Sequence, residues 1–180
     1  ATLARKVHER SQRVMPRSDN PFDDWTARLF LVSRAQYIML TNTAALYTVV
    51  IHGAGVTSLS HLLSRAFAQL RDSMDHDQLA FLYHRLISPA LAKVVVAKAA
   101  SPSVTGSMND LVHHATDILQ NPDRSPWDAS HVLNRIPMGS LKYGLPVEVL
   151  RSLRIEGVSD EGTQQPAPPY SEPAARSPQR

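Results

Sequence analysis

The chain has 180 residues, of which 43% are apolar and 19% charged, and its net charge is +3. These values are ordinary for one folded domain with its own core. Because the sequence contains no cysteine, it excludes disulfides, thiolate zinc sites and cysteine nucleophiles. The net charge is too small to indicate nucleic-acid binding by itself, and no apolar run reaches the roughly 18 residues of a membrane-spanning helix.

Residues 4–18 carry a run of basic side chains opposed by a single acidic one. The basic residues are Arg5, Lys6, Arg10, Arg13 and Arg17. Such a run predicts a solvated basic segment, and the alternative is an arm that contacts phosphate groups. The chain begins with Ala1 rather than Met, so we expect a truncated N-terminus. The lack of a signal-peptide-like apolar segment and of cysteine fits a reducing cytoplasm.

Three segments rich in β-branched and aromatic residues follow each other in the first third of the chain. They are residues 25–33, 37–41 and 46–52. In the first, Trp25, Ala27, Leu29 and Leu31 fall on one face of a strand, and residues 34–36 suit a turn. The three segments therefore predict an antiparallel meander.

Two amphipathic helices and a further strand are predicted next. Residues 57–74 repeat leucines at helical spacing, and residues 78–87 repeat the pattern until Pro89 ends it. Asp75, His76 and Asp77 lie between the two helices, where an aspartate caps a helix well and where a metal site is the alternative. The valines of residues 92–99 predict a buried strand.

Residues 104–120 predict a helix with one apolar face. Gly106 lies in its first turns, where glycine costs up to about 1 kcal/mol relative to alanine. We therefore expect the missing Cβ to allow a close approach by another backbone or a ligand.

The polar residues of this helix form two stripes, and Ser107, Asp110 and His114 share one of them. A catalytic triad needs its base between the nucleophile and the orienting acid, whereas these side chains stack along a single helix. A structural role for Asp110 is the main interpretation, and metal ligation by His114 with Asp117 is an alternative.

Residues 129–135 and 145–153 predict two short final helices. Beyond them the composition changes, because five prolines fall between Pro166 and Pro178 with almost no large aliphatic residue. Such a stretch cannot bury enough apolar area to offset its ordering entropy. We expect one domain over residues 1–156 and a disordered, Pro-rich tail over residues 157–180.

The signatures GxGxxG after a strand, GxxxxGK[ST], HExxH and GxSxG are absent from the sequence. Instead, the order of Trp25, LTNTAALYTVVIHG at 40–53 and SVTGSMNDL at 103–111 resembles an uncharacterised family of small bacterial domains of unknown function. That family carries a GDW turn, a strand pair with LF.N, and a helix start with RSV.GSMND. The resemblance covers about residues 1–153, and IPMGSLKYGLPVEVL at 136–150 is similar to its closing segment.

The resemblance implies that six residues belong to one shared local structure or binding site. They are Trp25, Asn42, Gly106, Ser107, Asn109 and Asp110. The chain departs from the pattern before the motif, where Ser101, Pro102 and Ser103 replace an expected Asn-Arg-Ser. The resemblance supplies no reaction and no cofactor.

We expect an α+β domain in which a mostly antiparallel sheet, the meander plus the later strand, carries helices on one face. The leading functional hypothesis is a non-enzymatic binding or regulatory module without a cofactor or metal. One alternative is a hydrolase that uses Asp110 as acid or base with Asn42, Asn109 or a histidine, and Ser107 and His114 as further catalytic candidates. Another is nucleic-acid binding through the basic N-terminal segment. A protein partner is a candidate, nucleic acid stays open, and no membrane contact is expected.

Overall fold

The computed structural model describes residues 2–9, 14–98 and 102–154, and it is an α+β fold as predicted. The strands are β1 (Trp25–Val32), β2 (Ala35–Asn42) and β3 (Thr48–His52). The α-helices are α1 (Leu3–Lys6), α2 (Leu59–His76), α3 (Ala80–Leu82), α4 (Pro102–Leu119), α5 (Pro126–Leu133) and α6 (Pro146–Ser152).

The sheet is the predicted antiparallel meander, with strand order β1-β2-β3. Val32 pairs with Ala35 across the first hairpin, and Trp25 pairs with Asn42 at its open end. The two turn residues, Ser33 and Arg34, both have positive φ angles, 46° and 72°. This is the conformation of a type I′ turn, whose twist matches that of the strands it joins.

Helices cover both faces of the sheet, whereas the sequence analysis placed them on one face. On one face Ile38 and Val49 pack in a cluster with α2 and α6. On the other face Met39 and Val50 pack with α4 and α5. The reason is visible in the strands themselves, because consecutive residues of β2 and β3 are apolar and buried. A strand that is apolar on both sides needs cover on both sides.

The predicted strand over residues 92–99 is wrong for the residues that the structure describes there. A 3-10 helix occupies Ser88–Lys93, and Val94 and Val95 are exposed, at 40% and 53%, instead of entering the core. Residues 94–96 lie in no helix or strand, and residue 99 lies outside the described chain. A short apolar run cannot be told from a helical segment by periodicity alone.

Helix α5 already closes the edge of the sheet at β3. The Asn134 side chain accepts a hydrogen bond from the Thr48 backbone N–H at 2.7 Å and donates one to the Thr48 carbonyl at 2.9 Å. The Ser130 hydroxyl accepts from the Val50 N–H at 2.8 Å. These side chains give the edge strand the partners that a fourth strand would have supplied.

The predicted second helix is broken into shorter pieces: α3 is followed by a π-helix over Tyr83–Ile87. Helix α5 starts earlier than predicted, at Pro126, because Ser125 and Asp128 form a capping box. Within the described residues, no helix is both long enough and apolar enough to cross a membrane. The tail over residues 157–180 and the basic residues Arg10 and Arg13 lie outside the described chain, so the predictions made for them stay predictions.

Candidate functional site

Gly106, the glycine of the GSMND stretch, faces open space on α4. A Cβ added there would meet no atom of the described chain within 4 Å, outside the neighbouring residues of its own helix. The expected close approach of another backbone is therefore not found among the described residues, and the approach of a ligand stays a prediction. The glycine lowers the helix propensity at this position and gains no packing contact in return.

The polar residues of GSMND point in different directions. Ser107 is buried, and its hydroxyl shares a 2.8 Å hydrogen bond with that of Ser140. Asn109 is exposed and accepts a hydrogen bond from Arg28 of β1. Asp110 is exposed, and its carboxylate makes no hydrogen bond or ion pair with any described residue. The helix thus directs two of these side chains to separate neighbours and one to solvent.

The candidate acid–base groups of α4 do not meet in a cleft. His114 is half-buried, and its ring lies 6.3 Å from that of His113. His113 Nε2 lies 3.9 Å from Asp117 Oδ2 on the helix surface. The convergence that a hydrolase built on Asp110 requires is not found among the described residues.

Trp25 and Asn42 meet at the open end of the first hairpin, where both serve the fold of a loop. The Trp25 indole N–H donates to the Phe22 carbonyl at 2.7 Å. The buried Asn42 side chain donates to the Pro21 carbonyl at 3.0 Å and accepts from the backbone N–H groups of residues 44 and 45. This corner borders an open cleft of about 170 Å³ lined by residues that include Asp24 and Thr43.

A different cluster is built around Asp77, the residue that directly follows α2. Asp77 is 5% exposed. Its side chain does not cap α3 as expected, because Leu79 is the residue at the N-cap of that helix and no side chain makes a capping hydrogen bond there. One carboxylate oxygen accepts from the Tyr47 hydroxyl at 2.7 Å, and the other accepts from Arg135 at 2.6 Å. Arg151 donates to the Asp77 backbone carbonyl at 3.0 Å. The carboxylate therefore joins α2, the loop before β3 and the end of α5.

An accessible rim of nitrogen-bearing rings surrounds this buried carboxylate. The His131 side chain is 36% exposed and lies edge-on to the exposed His76, with ring centroids 4.6 Å apart. Trp127 also lies edge-on to His76, with ring centroids 5.8 Å apart. We call His76, Asp77, Trp127, His131 and Arg135 the Asp77 cluster.

The electrostatics of the cluster favour a neutral His131 ring beside the carboxylate. Burial, followed by the charges of Arg135 and His76, lowers the pKa of His131. Burial, followed by the hydrogen bond to Asp77, raises the pKa of Tyr47 far above its ordinary value, so this hydroxyl stays a donor at physiological pH. Arg135 also donates to the His131 Nδ1 atom at 3.1 Å and to its carbonyl at 3.1 Å.

Chemically, the arrangement can bind a ligand through two imidazoles and one carboxylate. The potential ligand atoms of His76, Asp77 and His131 all lie within 4.8 Å of one another. It is less suited to general base chemistry of the Asp–His type, because His131 Nδ1 lies 4.0 Å from the carboxylate and Arg135 stands between them.

Sequence reasoning identified only part of this cluster. His76 and Asp77 stood out as a run of titratable residues with a metal site as the alternative interpretation. His131 and Arg135 were missed, although a histidine and an arginine four residues apart share one face of a helix. What the sequence lacks is the crossing of α2 and α5, which brings residues 76–77 and 131–135 together.

Comparison with known proteins identifies a family but no activity. No curated protein and no solved structure matches the chain significantly. A family profile does match, over residues 2–149, and it carries no assigned function. Since that match spans most of the chain, the protein belongs to the family described as Domain of unknown function (DUF6933).

Proposed function

We propose that this domain is a non-enzymatic binding module of the bacterial cytoplasm whose ligand site is the Asp77 cluster. The observation that carries the proposal is a rigid, accessible rim of His76, Trp127 and His131 around a carboxylate that is 5% exposed. Tryptophan and arginine are the residue types that most often dominate binding surfaces.

The Asp77 carboxylate and the His131 ring are oriented by their neighbours before any ligand arrives. Arg135 is held by Asp77 and by the backbone of His131, and Tyr47 holds the opposite carboxylate oxygen. A ligand that binds there does not bear the cost of ordering these side chains, which is the main benefit of pre-organisation.

The same contacts favour binding over catalysis. Two of the groups able to move a proton are His131, whose Nδ1 accepts from Arg135, and Tyr47, whose hydroxyl donates to Asp77. Neither is paired with a serine or threonine nucleophile by the hydrogen bonds of the described residues.

Trp127 makes the proposal testable by intrinsic fluorescence, because its ring contacts His76. The purified chain is titrated with zinc chloride, sodium phosphate and a glutamate-rich peptide, while fluorescence and thermal unfolding are followed. We expect one probe to give a saturable response, and we expect His131→Ala to abolish it. In Trp127→Phe the change in fluorescence should be lost. The probe should be recovered chemically unchanged.

Two results would contradict the proposal. A response that survives in both His76→Ala and His131→Ala would place the ligand elsewhere. Chemical conversion of a probe in proportion to protein concentration would make the domain an enzyme. His113→Ala, on the surface of α4, is the matched control and should bind like the parent.

A further inference from the structure

Three side chains of metal-ligand type meet where α2 ends beside α5. His76 and Asp77 come from the end of α2 and His131 from α5, and their ligand atoms lie within 4.8 Å of one another. Imidazole with one carboxylate suits zinc, cobalt, nickel and copper better than magnesium or calcium, which prefer oxygen ligands throughout.

A positive charge already stands among these atoms. Arg135 donates from one guanidinium nitrogen to Asp77 Oδ1 at 2.6 Å and from another to His131 Nδ1 at 3.1 Å. Because a guanidinium can only donate, the His131 Nδ1 atom accepts, and its lone pair is directed at a cation. The lone pair and the carboxylate oxygen are thus both oriented as metal ligands are.

We propose that His76, Asp77 and His131 form a site for one divalent transition-metal ion of the zinc class, and that Arg135 holds the cation position until the metal displaces it. The inference rests on the proposed function, since it names the ligand of that same cluster.

The distances make the exchange feasible. His131 Nδ1 and Asp77 Oδ1 are 4.0 Å apart, while two ligands of a tetrahedral zinc ion lie about 3.4 Å apart for bonds near 2.1 Å. A shift of a few tenths of an ångström at each group closes that gap. The Arg135 side chain is 40% exposed and can move into solvent as the ion enters.

The surroundings also resemble the support that metal sites need. The Tyr47 hydroxyl donates to the second oxygen of Asp77 at 2.7 Å and can keep the carboxylate oriented when Arg135 leaves. Three protein ligands leave the fourth position of a tetrahedral ion for water or for a donor atom of a bound molecule. Zinc sites that exchange a ligand have this open arrangement.

The test is isothermal titration of the purified full chain, treated first with EDTA, with zinc chloride, together with visible absorption of the cobalt(II) form. We expect one ion per chain and a cobalt spectrum of tetrahedral type. His76→Ala should weaken binding by about tenfold or more, the range already seen for supporting residues of such sites. His76 is exposed, so this variant should fold even if His131→Ala does not.

Arg135→Gln tests the displacement itself. Removing a unit charge a few ångströms from the ion should tighten zinc binding by roughly tenfold or more, even at an effective dielectric constant near 20. A merely structural role for Arg135 predicts no such gain. His113→Ala, which alters an exposed histidine 3.9 Å from Asp117, should leave the affinity unchanged.

The outcomes separate this inference from the proposed function. If zinc and cobalt bind neither the parent nor Arg135→Gln, or bind His76→Ala as tightly as the parent, the inference is overturned. If phosphate or the acidic peptide then binds in a manner that needs His131, the proposed function stands without the metal. If no probe binds at the cluster, both are wrong.

Discussion

Neighbouring residues of the GSMND stretch differ in their contribution to stability, and single substitutions can measure each contribution. Ser107 is buried and bonded to Ser140, whereas Asp110 is exposed and its carboxylate makes no hydrogen bond or ion pair with a described residue. We expect Ser107→Ala to lower the free energy of unfolding by about 1 kcal/mol and Asp110→Ala to change it by less than about 0.5 kcal/mol. Calorimetric melting of both variants beside the parent measures this. A larger loss for Asp110→Ala would mean that its carboxylate supports the fold after all.

One oxygen of the buried Asp77 carboxylate, Oδ2, accepts its hydrogen bond from a single tyrosine hydroxyl. Tyr47 is fully buried and donates to Asp77 Oδ2 at 2.7 Å. Tyr47→Phe should cost about 1–3 kcal/mol, because the oxygen then lacks its donor. In a domain of this size that lowers the melting temperature by about 2–4 °C for each kcal/mol. Tyr143→Phe, at a side chain 79% exposed, is the matched control and should melt with the parent.

Between elements, the clearest dependence is that of β3 on α5. The Asn134 side chain imitates the backbone of a neighbouring strand by bonding both polar groups of Thr48. Asn134→Ala leaves a buried N–H and a buried C=O without partners, so we expect a loss of about 2–5 kcal/mol. Urea unfolding measures it, with Gln120→Ala at the exposed end of α4 as the control. A loss below 1 kcal/mol would show that water replaces the amide at this edge.

The stability of the fold should depend on pH through a carboxylate at the start of α5. The backbone N–H of Ser125, followed by its hydroxyl, lowers the pKa of Asp128. A lowered pKa in the folded state contributes stability that is fully present above the unfolded value, near 3.9, and is lost as the pH falls below that value through the lower folded pKa. We therefore expect the gap in melting temperature between the parent and Asp128→Asn to shrink between pH 5 and pH 3. A gap that is constant over this range would contradict the role assigned to the carboxylate.

For the whole molecule, local sequence patterns predicted the helices and strands better than they predicted how those helices and strands pack against one another. The meander, α2 and α4 follow from periodicity and turn chemistry over short stretches of sequence. The helices on both faces were missed, although consecutive buried residues such as Ile38 and Met39 carried the signal. The Asp77 cluster could not be predicted, because Asp77 and Arg135 are 58 positions apart in sequence and the crossing of α2 and α5 brings them together.

The boundary of the folded unit is the last prediction at this scale. The family match ends at residue 149, but Leu150 of α6 is fully buried and belongs to the core cluster on the α2 face. The folded unit must therefore extend through α6, and the predicted disordered tail begins after it.

A chain shortened to residues 1–154 should melt at the same temperature as the parent, and limited proteolysis of the full chain should accumulate a fragment that ends near there. A chain shortened to residues 1–145 should lose several kcal/mol, because it removes Val147 and Leu150 from the core. Equal stability of the two shortened chains would mean that α6 adds nothing to that core, and a drop already at residue 154 would mean that the tail packs on the domain.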